Sequence, residues 1–156
     1  MKRHCPGLFA ALVVLLAAGC DTINHTQFQV AGQTAASGTR LAISTDDREA
    51  VRQIVQAAAQ ELHYEDRLPQ TLMPNTIASY AEPDNENPIS IIAWVKDQTI
   101  VVDIMHKPTD IGESSAYRKV HDLLTASLKN RFGTRVEIAP LDKQISTRTV
   151  YKHPSP

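Results

Sequence analysis

Four side chains in the second half of the sequence could perform acid–base chemistry. Asp103, His106 and Asp110 lie close together in the sequence, and His121 follows them. A carboxylate beside an imidazole can orient the ring as a general base. Asp103 and His106 are three positions apart, however, so on a β-strand their side chains would point to opposite faces. Catalysis by Asp103, His106 and His121 is therefore an alternative interpretation and not the favoured one.

Two further groups of side chains are candidate metal ligands. The run His-Tyr-Glu-Asp at 63–66 falls at a predicted helix end, but the sequence has no His-x-x-x-His pair. A histidine at a helix C-terminus is favoured by the helix dipole alone. The acidic pairs Asp46/Asp47 and Asp84/Glu86 lack the pattern of a calcium loop. We therefore expect no metal site and no cofactor.

Cys20 is a nucleophile of a different kind, because its thiolate can form a stable thioether. It follows a positively charged start at Lys2 and Arg3, an apolar run over residues 8–18 and small residues at 17–19. That run is too short to cross ~30 Å of hydrocarbon and has the length of a signal-peptide core. The pattern predicts export followed by chemistry at the thiol.

The segment Leu16-Ala17-Ala18-Gly19-Cys20 resembles the lipobox of bacterial lipoproteins. The resemblance implies that residues 1–19 are a signal peptide and that cleavage falls between Gly19 and Cys20. It also implies that Cys20 carries diacylglycerol, with an acyl chain such as palmitate on its new amino group. The resemblance covers about an eighth of the chain and implies nothing about the domain behind it.

A lipoprotein of this kind would be anchored to a membrane of the bacterial cell envelope, with its domain facing the periplasm or the exterior. Asp21 resembles the inner-membrane retention signal of enterobacterial lipoproteins, but other lineages read other positions, so both membranes stay open. Cleavage would remove Cys5, leaving no free thiol and no disulfide in the mature domain. The expected partners are the membrane, through the lipid anchor, and an envelope protein.

Nucleic acid is not an expected partner. Without Lys2 and Arg3 the mature chain has 14 basic and 17 acidic residues, hence a formal net charge of −3. This balance gives no long-range attraction to phosphates.

Behind the anchor, composition predicts a flexible tether over 20–38, an α+β domain over 39–141 and a tail over 142–156. A weak strand around Phe28 and Val30 is the alternative for the tether. Within the domain, hydrophobic periodicity predicts strands over 39–45, 89–95, 99–105 and 135–139, and helices over 46–63 and from Ser114 or Ser115 to Gly133. The segment 64–88 is expected to be mostly loop, with a short edge strand over 76–81 as an option.

This order of elements predicts a two-layer sandwich in which two helices cover one face of an antiparallel sheet, in a ferredoxin-like βαββαβ arrangement. The favoured function is a small non-catalytic binding or accessory domain held at the membrane. Besides the enzyme alternative, an inhibitor or immunity-type lipoprotein is possible, and the acidic loop 80–87 would then contact its partner.

Overall fold

The computed structural model describes residues 24–86, 88–106 and 115–139. Within them, a six-stranded antiparallel sheet carries two helices on one face. The predicted α+β class with two layers is confirmed. The predicted signal peptide, Cys20, Asp110, the last two residues of the predicted domain and the predicted tail over 142–156 lie outside the described residues.

The strands and helices have the following bounds. The strands are β1 (Asn24–Ala31), β2 (Glu65–Asp66), β3 (Thr76–Ala81), β4 (Ser90–Lys96), β5 (Thr99–His106) and β6 (Val136–Ala139), and the helices are α1 (Thr45–Glu61) and α2 (Ser115–Phe132). The order across the sheet is β2-β3-β4-β5-β1-β6, and every neighbouring pair is antiparallel.

The hairpin of β4 and β5 forms as predicted, because two runs rich in β-branched residues flank a tight turn. Asp97 in the turn adopts a φ of 53°. Ile91 pairs with Ile104 on the face that the helices cover, whereas Trp94 pairs with Val101 on the other face. The register therefore gives the sheet one face toward the helices and a second face pointing away from them.

Helix α1 lies close to its predicted position and begins one residue earlier, at Thr45. Ser44 is the N-cap, and its side chain accepts a hydrogen bond from the backbone N–H of Asp47 at 3.0 Å. Glu49, in the first turns of the helix, accepts hydrogen bonds from Arg52 and Gln53. The helix ends before His63, whose φ is 57°.

Helix α2 matches its prediction more closely. Tyr117, Val120, Leu124 and Leu128 recur at helical spacing and are all buried against the sheet. Gly133 follows the helix with a φ of 58°, which is the predicted stop. The final strand, β6, then adds to the edge of the sheet beside β1.

Two predictions at the start of the domain are wrong. Asn24–Ala31, assigned to the tether, is a central strand that pairs with both β5 and β6. The strand predicted over 39–45 does not form, since only an isolated bridge joins Arg40 to Thr34. Phe28 and Val30, the weak alternative, are fully buried in the core.

The chain turns sharply after β1, and this explains the second error. The backbone N–H of Gly32 donates to the Gln98 carbonyl at 2.9 Å, and that of Leu41 donates to Gln33 at 2.7 Å. Leu41 is 46% exposed, whereas Ile43 is buried below the start of α1. The spacing of Leu41 and Ile43 suggested a strand, but only Ile43 packs in the core and the segment around it is irregular.

The antiparallel register defines two ends of the sheet. Asn24 pairs with His106, Met105 with Ser90, and Ser90 with Ala81, so these residues share one end, the Asn24 end. Ala31 pairs with Thr99 at the other end, beside the Asp97 turn, which we call the hairpin end.

Candidate functional site

The structure separates the carboxylate and the imidazole that could have formed a catalytic pair. Asp103 lies on the face away from the helices, 3% exposed, and accepts a hydrogen bond from Gln27 Nε2 at 3.2 Å. His106 lies on the helix-covered face and is 4% exposed. Their opposite orientation is the one predicted from a spacing of three on a strand.

His106 belongs to a buried polar cluster that joins β1, β5 and α2. The Tyr117 hydroxyl hydrogen-bonds to Thr26 Oγ1, and the His106 ring meets the Tyr117 ring edge-on, with centroids 5.0 Å apart at 77°. The imidazole Nε2 is buried and has no hydrogen-bond partner among the described residues. Thr26, His106 and Tyr117 are all buried, so the cluster packs β1, β5 and α2 against one another.

His121 stands one turn after Tyr117 on the same side of α2. Its ring packs against Phe28 with centroids 5.7 Å apart, and its Nδ1 lies 3.2 Å from a carboxylate oxygen of Asp122. His121 is half-buried, whereas Asp122 is exposed. His121 and His106 therefore lie on the helix-covered side of the sheet, whereas Asp103 lies on the opposite face.

The residues at 63–66 have local structural roles. Glu65 pairs with Arg67 at 2.7 Å, and an oxygen of Asp66 accepts from the backbone N–H of Leu68 at 2.8 Å. His63 is exposed just beyond α1. Across the described parts of the chain, no group of three or more His, Cys, Asp or Glu side chains could hold a metal ion.

The acidic loop 80–87 lies at the Asn24 end of the sheet, and all of it except Asn87 is described. A backbone hydrogen bond closes the loop, because the N–H of Glu82 donates to the Ile89 carbonyl at 3.0 Å. Asn85 Nδ2 donates to the Glu82 carboxylate at 2.7 Å, and Asp84 has a φ of 51°. Asp84 and Glu86 are exposed and, together with Glu82, give this loop its negative charge.

Two tyrosines near this loop have raised pKa values. Burial, with a smaller contribution from the nearby Glu82 carboxylate, raises the pKa of Tyr64 to about 12. Burial also raises the pKa of Tyr80, with Asp66 contributing, while Arg52 opposes the shift. Both phenols are therefore neutral at physiological pH and act as packing groups.

Sequence reasoning missed an ion pair at the hairpin end, between Asp47 and Arg135. Arg135 Nη2 lies 2.5 Å from Asp47 Oδ2, and its Nε donates to the Ala31 carbonyl at 2.8 Å. The guanidinium also sits over the Phe132 ring, 5.4 Å from its centre. Since 88 residues separate the two partners, no local pattern could have revealed the pair.

A surface groove of about 440 Å³ lies between α1 and α2. Ile54, Ala57 and Leu123 contribute apolar surface, and Glu61 and Arg131 are among its polar residues.

No helix in the described part of the chain is long and apolar enough to span a bilayer.

The comparisons with known proteins add no relative. No protein-family model matches this chain, and neither a curated protein nor a solved structure gives a significant match.

Proposed function

We propose that this chain is a lipoprotein of the bacterial cell envelope, anchored through Cys20, whose small α+β domain binds an envelope protein and carries out no chemistry. The observation that carries the proposal is the coincidence of a charged start, a short apolar run, small residues and Cys20 in the order of a lipobox. Cleavage before Cys20 would leave a domain that needs no spanning helix, because two or more acyl chains suffice for stable anchoring.

The position of β1 sharpens this proposal. Only Asp21, Thr22 and Ile23 separate Cys20 from the first residue of the strand. Even a fully extended chain covers only about 14 Å over that distance. A domain anchored at Cys20 would therefore lie directly on the membrane surface, and the Asn24 end of the sheet would face the lipid.

This orientation favours an adaptor over an inhibitor or immunity-type protein. The acidic loop 80–87 lies at the Asn24 end and would face the membrane, where a soluble partner could not reach it. The turn at Asp97 and the segment from Gly32 to Ser44 lie at the hairpin end and would point away from the bilayer. A protein partner would reach the hairpin end first.

The geometry of the candidate acid–base residues supports binding in preference to catalysis. Asp103 and His106 occupy opposite faces, and His106 is enclosed by β1, β5 and α2. An acid–base mechanism needs its groups within hydrogen-bond reach of one substrate.

We also infer that the sheet is a ferredoxin-like unit extended at one edge. The order β6-β1-β5-β4, with α1 following β1 and α2 following β5, supports this. β2 and β3 would then be an insertion between α1 and β4. The first strand of such a unit is β1 and not the segment 39–45.

The lipid anchor is tested by metabolic labelling with a palmitate analogue. The full-length chain should be labelled and should sediment with membranes, whereas Cys20→Ser should lose the label and the processed form. Cys5→Ser is the matched control, because it removes the only other thiol and should keep the label. Equal labelling of Cys20→Ser and the unaltered chain would refute the anchor.

Partner binding is tested separately by placing a photo-crosslinking amino acid at Gln98, which is exposed at the hairpin end. A discrete crosslinked envelope protein is expected there, and the same probe at Glu86 should crosslink to lipid instead. A Gln98 probe that captures no protein in intact cells would contradict the adaptor role.

A further inference from the structure

The two helices lie side by side on the sheet and run in opposite directions. Helix α1 begins at the hairpin end, where Asp47 pairs with Arg135, and α2 ends there, just before β6. At the Asn24 end, Lys119 Nζ near the start of α2 lies 3.6 Å from Glu61 Oε1 at the end of α1. Each position of α1 therefore has a counterpart at the same height on α2.

The outer surface of this helix layer carries charges of opposite sign on the two helices. Asp46 and Glu61 lie near the two ends of α1 and are exposed. Lys119 lies near the start of α2, and Lys129 and Arg131 lie in its last turn, all three exposed. Each end of the layer thus presents a carboxylate on α1 beside a basic group on α2.

The other charged residues of the two helices keep this difference. Glu49 and Arg52 neutralise each other within α1, and helical periodicity places Arg48 on the flank of α1 away from α2. Arg118 is exposed beside Lys119 and adds to the positive charge of α2. The outer surface is therefore negative on α1 and positive on α2.

Between the charged ends the outer surface is small and mostly uncharged. Ala57 on α1 and Ala126 on α2 are exposed, and Leu123 is half-buried in the wall of the groove. Asp122 adds one carboxylate near the middle of α2, 3.2 Å from Nδ1 of His121. A less polar centre with a charged rim is the usual anatomy of a protein interface.

A second copy of this chain matches the pattern in one of the two ways in which these surfaces can face each other. A two-fold axis parallel to the helices places α1 of each copy over α2 of the other and keeps like ends together. Glu61 of one copy then lies over Lys119 of the other, and Asp46 lies beside Arg131. An axis perpendicular to the helices would stack α1 on α1, with carboxylates facing carboxylates.

We propose that two copies of this chain pack through the outer surfaces of α1 and α2, related by a two-fold axis parallel to the helices. At the Asn24 end, two Glu61 carboxylates and two Lys119 ammonium groups alternate around the axis, so each charge has two opposite neighbours. At the centre, Ala57 of each copy lies over Leu123 of the other, and its small side chain lets the helices approach closely.

The size of the contact predicts a reversible dimer. Each helix is about 26 Å long and the pair is about 20 Å wide, so the two copies together bury roughly 1,000 Å², the lower limit for a specific interface. If the proposed anchor at Cys20 is correct, both copies attach to one membrane, because this axis keeps both Asn24 ends on the same side.

Sedimentation velocity of the full-length chain in mild detergent tests the dimer. The unaltered chain should change from monomer to dimer as its concentration rises. Lys119→Glu with Arg131→Glu should raise the dissociation constant at least about tenfold, because carboxylates then face carboxylates across the interface. A chain that stays monomeric at every concentration would overturn the proposal.

Arg48→Glu with Lys96→Glu is the matched control, since it changes the net charge equally at exposed positions outside the outer surface. This variant should dimerise like the unaltered chain. An equal loss of dimer in both variants would show that net charge, and not this surface, governs association.

Mixing two variants tests which helix faces which. Asp46→Lys with Glu61→Lys makes the outer surface of α1 basic, and alone it should also remain monomeric. Mixed with the chain that carries Lys119→Glu and Arg131→Glu, it should form heterodimers, because acidic α2 then meets basic α1. Mixed with the Arg48→Glu and Lys96→Glu control it should form none. Heterodimers in both mixtures, or in neither, would overturn the arrangement.

A crosslink locates the contact directly. A photo-crosslinking amino acid in place of Ala57 is mixed with an isotope-labelled unaltered copy, and mass spectrometry identifies the labelled peptide that it captures. The captured peptide should come from α2. Capture of labelled α1 would overturn the proposed axis, and capture of no labelled peptide would overturn the interface.

The dimer and the lipid anchor can fail independently. Palmitate labelling at Cys20 reports on the anchor, whereas sedimentation and crosslinking in detergent report on α1 and α2. If labelling is absent but the charge variants behave as described, the dimer stands without the anchor.

Discussion

Asp47 and Arg135 form the strongest charged contact at the hairpin end. Asp47 is buried at the start of α1, and Arg135 links it to the end of β1. Asp47→Asn should lower the free energy of unfolding by about 2–3 kcal/mol, because it leaves a partly buried guanidinium without its counter-charge. Urea unfolding monitored by circular dichroism measures the loss.

Glu49→Gln is the matched control for that experiment. It removes the carboxylate that pairs with Arg52 on the exposed side of the same helix, where ion pairs contribute little. We expect almost no change in the unfolding midpoint. A loss equal to that of Asp47→Asn would mean that burial is not what makes the Asp47 pair important.

Tyr64 carries a buried hydroxyl with no hydrogen-bond partner among the described residues. Tyr64→Phe should therefore leave stability at neutral pH unchanged or raise it by up to about 1 kcal/mol. The pKa of Tyr64 is about 12 in the folded chain, raised from 10.0. Below pH 10 the phenol is neutral in both the folded and the unfolded chain, so its ionisation leaves the free energy of unfolding unchanged. As pH rises from 10 through 12, the unfolded chain loses the proton first and the free energy of unfolding falls.

Alkaline unfolding compared between the two chains checks this sign. The unaltered chain should lose stability between pH 10 and 12, and Tyr64→Phe should lose less over the same range. Identical alkaline profiles would contradict the raised pKa of Tyr64.

At the level of elements, the turn after β1 depends on Gly32. A Cβ there would lie 2.2 Å from the Leu41 carbonyl oxygen, which is backbone and cannot rotate away. Gly32→Ala should therefore destabilise the domain by about 2 kcal/mol or more, as the loop must shift. Gly38→Ala is the comparison, since its φ is +83° but nothing lies within 4 Å of the new carbon.

Thermal unfolding of the two glycine variants separates crowding from backbone strain. Gly38→Ala should show the smaller loss, of about 1 kcal/mol. A smaller loss for Gly32→Ala than for Gly38→Ala would show that the Leu41 contact does not hold the loop.

The elements that could be predicted are those whose own residues carry a periodic pattern. α1, α2 and the β4–β5 hairpin bury regular stripes, and their positions follow from spacing alone. β1 is harder to predict, because Phe28 and Val30 are its only large aliphatic or aromatic residues between 25 and 31 and its place inside the sheet depends on pairing with strands far along the chain.

The candidate site shows the same limit. The opposite orientation of Asp103 and His106 followed from strand geometry, but the Thr26–Tyr117 contact joins residues 91 positions apart. Such contacts depend on the tertiary fold, and a single sequence carries no local signal for them.

If Cys20 carries the proposed lipid anchor, its short connection to β1 predicts a fixed orientation of the whole molecule on the membrane. Glu86→Cys at the Asn24 end and Gln98→Cys at the hairpin end place single probes at opposite ends of the sheet. A dye on residue 86 should be quenched by spin-labelled lipid, whereas a dye on residue 98 should not. Ten glycine and serine residues inserted after Cys20 should abolish the difference, because a flexible tether frees the domain.

Mass spectrometry of the N-terminal peptide of the mature protein tests the central claim most directly. We predict a peptide that begins at Cys20 and carries the mass of diacylglycerol on its thiol, with residues 1–19 absent. A mature protein that retains residues 1–19, or that begins elsewhere with an unmodified Cys20, would contradict the lipid anchor and the orientation that follows from it.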